Sequence, residues 1–356
     1  MAASPLTLHR LHRHGIVGPV AETPAEAVRR MAAVQAQDYH ASLWAVGLRT
    51  TGATAKDVEE AIARGEIVRT WPMRGTLHLL AREDVRWMLA LMAPRVQAAN
   101  AARIARDYGL DAKTLARCRR VLERALADGR PMARGALYAR LDEAGIDSSG
   151  QRGLHVLNWL AHESLICQGP REGRQPTFVW FDAWVPPAPP LARDEALRRL
   201  ALRYVQGHGP ATAADLAWWS GLTQKDANAA LALASPRLAQ ETRDGRTWWS
   251  ASDAARPRAS RAVHLLPAFD EYVIGYRHRD AVLEPQHTRR VIGANGLVSP
   301  TVVIDGRVVA TWKRTADTRG EAVVAPLRAL TDAERDGLRT SAMRLERFLG
   351  MPVRIA

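Results

Sequence analysis

The sequence is poor in lysine, in cysteine and in uninterrupted apolar stretches. Cys118 and Cys167 are its only cysteines, too few for a disulfide framework, and no CxxC or CxxH pair offers a structural metal motif. No run of about 18 apolar residues occurs, which argues against a transmembrane helix. The opening MAASPLTLHRLHRHG lacks the apolar centre of a signal peptide. The expectation is a cytoplasmic protein that works without a membrane, a metal or a cofactor.

Positive charge is what abounds. Lys and Arg total 50 against 37 Asp and Glu, a net charge of +13. Such an excess draws polyanions, because neutralising phosphates releases condensed counterions. Only four of the basic residues are lysine (Lys56, Lys113, Lys225 and Lys313), and Ala and Arg are plentiful. A GC-rich genome imposes the same bias, so charge alone leaves nucleic-acid binding and compositional drift both open. The 356 residues suffice for two to four domains.

Three blocks about 90 residues apart share one plan: helix, small-residue turn, more helix, then a β segment. The clearest runs from Arg193 to Asp253. RDEALRRLALRYVQGHG is an amphipathic helix stopped by Gly207 and Gly209. PATAADLAWWSGL is a short helix capped by Thr212 and closed by Gly221, and TQKDANAALALA is a second, capped by Thr223. LAQETRDGRTWWSA is a hairpin turning at Asp244-Gly245. That is the winged-helix order. AKTLARCRRVLERALADG, PMARGALYARLDEAG, SGQRGLHVLNWLAHESLI and the hairpin CQGPREGRQPTFVWF repeat it more loosely, and Pro186, Pro187, Pro189 and Pro190 then read as a stiff linker. The first block has a helix from Thr23 with proline at its first position, a helix from Thr54, a strand-like tail and a further helix, AREDVRWMLALMAPRV. From about Ser260 apolar and polar residues alternate at strand period through AVHLLPAFDEYVIGY and GLVSPTVVIDGRVVATWKR, with a hairpin turn at Asp305-Gly306 and a last helix between Thr331 and Gly350. The predicted fold is α+β: three tandem winged-helix (helix-turn-helix) domains at 1–95, 96–186 and 191–258, then a β-rich, barrel-like domain at 259–356.

The stretch MAAVQAQDYHASLW places Gln35 and Gln37 two apart where the first helical pattern runs out. Positions i and i+2 lie about 200° apart on a helix but on one side of an extended chain. Two amides serving one site therefore require a backbone that has left the helix. By itself Gln-x-Gln is uninformative, since glutamine is common at polar helix ends.

VQAQD after a helix, RTWPMRGTLHLL some thirty residues on, LLPAFDEYVIGYRHRD and ANGLVSPTVVIDGRVVATWKR together resemble the winged-helix DNA glycosylases of the AlkZ and YcaQ type, in the right order over nearly the whole chain. The resemblance implies three winged helices with a β-barrel-like domain, and excision of alkylated purines from double-stranded DNA: N7-alkylguanine and, in some members, interstrand crosslinks. Its catalytic signature is Gln-aliphatic-Gln in the AlkZ branch and Gln-aliphatic-Asp in the YcaQ branch, so Gln35-Ala36-Gln37 falls in the first, Ala36 being an unusually small middle residue. An N7-alkylated purine is already cationic and its glycosidic bond weak. What remains is to hold a water under C1′ while an oxocarbenium-like sugar develops, and two side-chain carbonyls can accept that water's protons. No lysine lies near VQAQD, which argues for a monofunctional enzyme rather than a Schiff-base lyase. A monomer is expected. The rival from another class is a non-catalytic tandem winged-helix transcription regulator; three dissimilar winged helices suit a palindromic half-site pair poorly.

Other candidates carry a plain reading beside the functional one. Asp38 is an auxiliary carboxylate or, preferably, a turn or N-cap residue. Asp270 and Glu271 of FDEY, on a strand, would face opposite sides, and a structural role joining the β domain to the third winged helix is preferred. Arg74 alternates with Thr76 and His78 on one strand face and either grips a phosphate or is simply solvated. Arg171 and Arg174 in the hairpin loop are wing contacts to DNA or a solvated loop. His9, His12 and His14 lack metal-site spacing and read as part of a basic helix beside the DNA backbone. One tryptophan of each pair, Trp218-Trp219 and Trp248-Trp249, should be core.

Overall fold

A computed structural model describes residues 4–18, 20–243, 245–252, 262–314 and 320–356. The fold is mixed α+β and divides into two compact units, one made of Met1–Val58 with Leu197–Ala356, the other of Glu59–Ala196.

The first unit opens with α1 (Pro5–Arg13), capped by the Ser4 hydroxyl, and α2 (Pro24–Met31), capped by a reciprocal Thr23–Glu26 box. Helix α2 stops at Ala32, whose φ of 61° turns the chain into the short extended segment β1 (Val34–Gln35). Asp38 then caps α3 (Tyr39–Gly47), which is followed by α4 (Ala55–Ala63).

In the second unit β2 (Ile67–Met73) and β3 (Thr76–Ala81) form an antiparallel hairpin. Its two-residue turn, Arg74-Gly75, has both φ positive at 55° and 71°, the hand that matches strand twist. Helix α5 (Arg82–Tyr108) runs for 27 residues with Pro94 inside it. The boundary expected after residue 95 therefore falls within a helix. Strong helix formers on either side of Pro94 carry it past the missing hydrogen bond, and Gly109 in the left-handed region ends it. There follow α6 (Ala112–Ala125), β4 (Met132–Ala133), α7 (Arg134–Glu143), α8 (Arg152–His162), β5 (Ile166–Gln168), β6 (Thr177–Trp180) and α9 (Phe181–Trp184). The strands lie in the order β3-β2-β5-β6-β4. Leu115, Cys118, Leu122, Leu137, Leu160 and Phe178 centre the core, with Trp71 stacked on Phe178 at 6.3 Å. Residues 186–192, the proline-rich stretch, have no regular structure.

The first unit resumes with α10 (Arg193–His208), α11 (Ala213–Ser220), α12 (Gln224–Ala234) and the hairpin β7 (Leu238–Arg243) and β8 (Arg246–Ala251). This is the expected element order, with Thr212 and Thr223 as caps and Gly221 left-handed at φ 74°. Asp244 of the predicted turn and the boundary at 258/259 lie outside the described residues. After β9 (Val263–Leu266) the stretch read as one long strand departs from it: Phe269 adopts a φ of 57°, and α13 (Glu271–Ile274) follows. Then come α14 (Thr288–Val291), β10 (Thr301–Ile304), β11 (Arg307–Arg314), β12 (Glu321–Pro326), α15 (Asp332–Leu349) and β13 (Arg354–Ile355). Asp305 and Gly306 turn between β10 and β11 with φ of 50° and 78°. The sheet runs β13-β12-β11-β10-β9, with β13 and β9 as its edges, so the described strands form an open sheet. No helix among the described residues is long and apolar enough to cross a membrane.

Candidate active site

The backbone leaves the helix where the glutamine pair requires it to. Val34 and Ala36 are buried, Gln35 is half-buried and Gln37 exposed; Gln35 ends β1 and Gln37 lies beyond it, in the bend before α3. The Gln35 N–H donates to Glu271 Oε1 at 2.9 Å. Glu271 is itself buried, and its Oε2 accepts the Trp219 indole N–H at 3.0 Å. His208 Nε2 stands 3.6 Å from that same oxygen, while His208 Nδ1 donates to the Tyr204 carbonyl at 3.3 Å. The Tyr276 hydroxyl donates to the His208 carbonyl at 2.7 Å and accepts from His14 Nε2 at 2.8 Å. Burial, reinforced by His208, Arg49 and Arg10, holds the His14 pKa well below the usual histidine range, so His14 is a neutral member of this packing.

Asp270 and Glu271 lie at the start of α13 and not on a strand, so the alternation expected to separate them does not operate; both are buried. Glu271 reaches α11 through Trp219. Asp270 instead makes two hydrogen bonds with the Arg49 guanidinium, at 2.8 and 2.9 Å, and its Oδ1 also accepts the Tyr272 N–H at 2.9 Å. Asp38 Oδ1 accepts the Ala41 N–H at 3.0 Å, the plain capping arrangement.

Arg74 sits in the β2–β3 turn rather than on the strand face of Thr76 and His78. Its Nη2 is 3.4 Å from Nε2 of His78, which is fully buried and donates from Nδ1 to the Thr76 carbonyl at 2.9 Å. That face is interior, not solvated. Arg171 and Arg174 lie in the β5–β6 loop, where Arg171 donates to the Arg174 carbonyl and Arg174 is exposed. Gln35, Gln37 and Asp38 thus belong to one unit and the three arginines to the other. Of the N-terminal histidines, His14 is buried and His9 and His12 are not; among the described residues no three His, Cys, Asp or Glu side chains are placed to hold a metal ion. Trp219 is core and Trp218 is 44% exposed, as expected of that pair, whereas Trp248 and Trp249 are both only half-buried.

A family model described as DNA glycosylase AlkZ-like matches residues 28–348. The chain belongs to the AlkZ-like DNA glycosylase family. It is 29% identical over 370 residues to the interstrand DNA cross-link repair glycosylase of Streptomyces sahachiroi, with 97% of each chain covered. The solved structure of Streptomyces sahachiroi DNA glycosylase AlkZ matches at a TM-score of 0.83 and 26% identity, over 100% of both chains. Relatives named as glycosylases give no support to the regulator alternative. Membership of the AlkZ-like DNA glycosylase family implies that the chain binds DNA. The feature that sequence reasoning missed in this AlkZ-like chain is the bond from Glu271 to Gln35, which joins positions 236 apart. Its only trace was the FDEY motif itself.

Proposed function

We propose that this chain is a monofunctional glycosylase that hydrolyses the N-glycosidic bond of N7-alkylated purines in double-stranded DNA, interstrand crosslinks among them. The observation that carries the reading is that the backbone has left the helix at Gln35, with Gln35 half-buried and Gln37 exposed, in a chain of the AlkZ-like family. On this reading the two carbonyls accept both protons of one water and aim its oxygen at C1′. Neither amide is a strong base, so chemistry is confined to leaving groups that are already cationic. Asp38, spent on capping α3, has no part in it. Arg74, Arg171 and Arg174 hold phosphates. The domain plan that goes with this is three winged helices at 1–95, 96–186 and 191–258 before the C-terminal sheet, working as a monomer. The name of the Streptomyces sahachiroi relative supports crosslinks as substrates.

The test is single-turnover excision from a duplex carrying one N7-methylguanine, with abasic sites revealed by alkali. Gln35→Ala and Gln37→Ala should each lower the rate constant about 100-fold, the scale of losing a positioned reactant, with DNA affinity retained. Rates within about threefold of wild type in both variants would remove the glutamines from the chemistry.

A further inference from the structure

We propose that Glu271 is a positioning residue for the reaction: its carboxylate clamps the Gln35 backbone, and with it the water-holding amide, in a bracket that also takes the Trp219 indole. The inference rests on the reading of Gln35 and Gln37 given above.

Four observations carry it. First, β1 is only two residues long and follows Ala32, whose φ is positive at 61°. Second, a carboxylate at 1% exposure needs compensating donors, because burying it is otherwise costly. Third, the donors come from two places far apart in the chain: Gln35 N–H on Oε1 at 2.9 Å and the Trp219 indole on Oε2 at 3.0 Å. The two donors meet different oxygens, and a glutamine would put an NH2 in the place of one of them. Fourth, the walls are rigid. Tyr204 stacks on His208 at 4.7 Å and leans on Trp219 at 5.0 Å, and the Tyr204 hydroxyl donates to the Gly275 carbonyl at 2.8 Å, just past α13. Enclosed in this way, Glu271 neither meets solvent nor reaches a base or sugar, and it acts on the reaction through Gln35 alone.

The experiment uses the full chain and the duplex carrying one N7-methylguanine, and reads the single-turnover rate constant separately from the dissociation constant for DNA. Four variants are compared with wild type: Gln35→Ala, Glu271→Gln, Trp219→Phe and the double variant Trp219→Phe/Glu271→Gln. In Glu271→Gln the single carbonyl cannot satisfy Gln35 and Trp219 together, and its NH2 faces a donor. The rate constant should fall about tenfold to 100-fold, the worth of one charge-assisted bond, with DNA affinity unchanged. Removing the indole donor relieves that conflict: the amide oxygen keeps Gln35, and the NH2 turns to the Nε2 of His208. The double variant should therefore recover to within about threefold of Trp219→Phe alone.

Recovery supports the bracket. If the double variant is slower than either single variant, and affinity and thermal midpoint fall with it, Glu271 is merely structural and the proposal is overturned. If Gln35→Ala abolishes excision while Glu271→Gln does not slow it, the clamp alone falls. If Gln35→Ala leaves excision intact, the glutamine reading falls and takes the clamp with it. Should Glu271→Gln fail to fold, the double variant decides: activity near that of Trp219→Phe supports the bracket, and its loss overturns it.

Discussion

Asp270 is the carboxylate that looks most like a glycosylase acid, and Asp270→Asn separates that appearance from its place in the fold. Its Oδ1 accepts both an Arg49 N–H at 2.8 Å and the Tyr272 N–H at 2.9 Å, and Oδ2 accepts a second Arg49 N–H at 2.9 Å. An asparagine keeps the first oxygen and turns an NH2 against the second arginine donor. One charge-assisted bond is replaced by a donor facing a donor, and the guanidinium, 2% exposed, loses its counter-charge. Arg49 retains the Ala45 carbonyl, at 2.9 Å, as a neutral partner. Breaking one side of a buried pair of this kind costs about 3–5 kcal/mol, a large part of a usual total stability of about 5–15 kcal/mol. Urea unfolding at 25 °C followed by tryptophan fluorescence should show the midpoint falling with the slope unchanged. Single-turnover excision, measured at low temperature where the variant stays folded, should remain within about threefold of wild type. The opposite pattern, an unchanged midpoint with excision lost, would refute the assignment and put Asp270 in the chemistry.

Acid should destabilise the fold before it protonates carboxylates. Burial pulls His162 down to about 4, partly opposed by a hydrogen bond to the Trp71 backbone, and burial with Arg344 nearby pulls His264 down to about 4. The folded pKa values lie below the unfolded one, so between about pH 6.5 and 4 the unfolded chain binds more protons, and stability falls as the pH falls. Each histidine should cost about 2 kcal/mol at pH 5, and equal urea midpoints at pH 7 and pH 5 would contradict this. Gly207→Ala should destabilise although alanine is the better helix former by about 1 kcal/mol, because a Cβ there would stand 2.4 Å from the Arg30 carbonyl oxygen. The expected loss is about 1–3 kcal/mol, read as a lower thermal midpoint, and a raised midpoint would show that α10 and the end of α2 are not in contact in solution.

Features set by neighbours along the chain are legible in its residues. Thr23, Thr212, Thr223 and Thr331 cap their helices because hydroxyl and backbone N–H are three residues apart, and Asp305-Gly306 turns because that dipeptide tolerates two positive φ angles. The order of elements in 193–251 was readable for the same reason. Other features depend on contacts between distant parts of the chain. Gly207, read as a helix stop, lies inside α10, where the Arg30 backbone packs against it. His78, on a strand face left open between DNA contact and solvent, is interior, and α5 runs on to Tyr108. Above all, no local pattern could show that Glu271 takes the Gln35 N–H across 236 positions. A buried carboxylate is tolerated only where long-range packing brings donors to it, and such packing is a property of the folded chain, not of any window of its sequence.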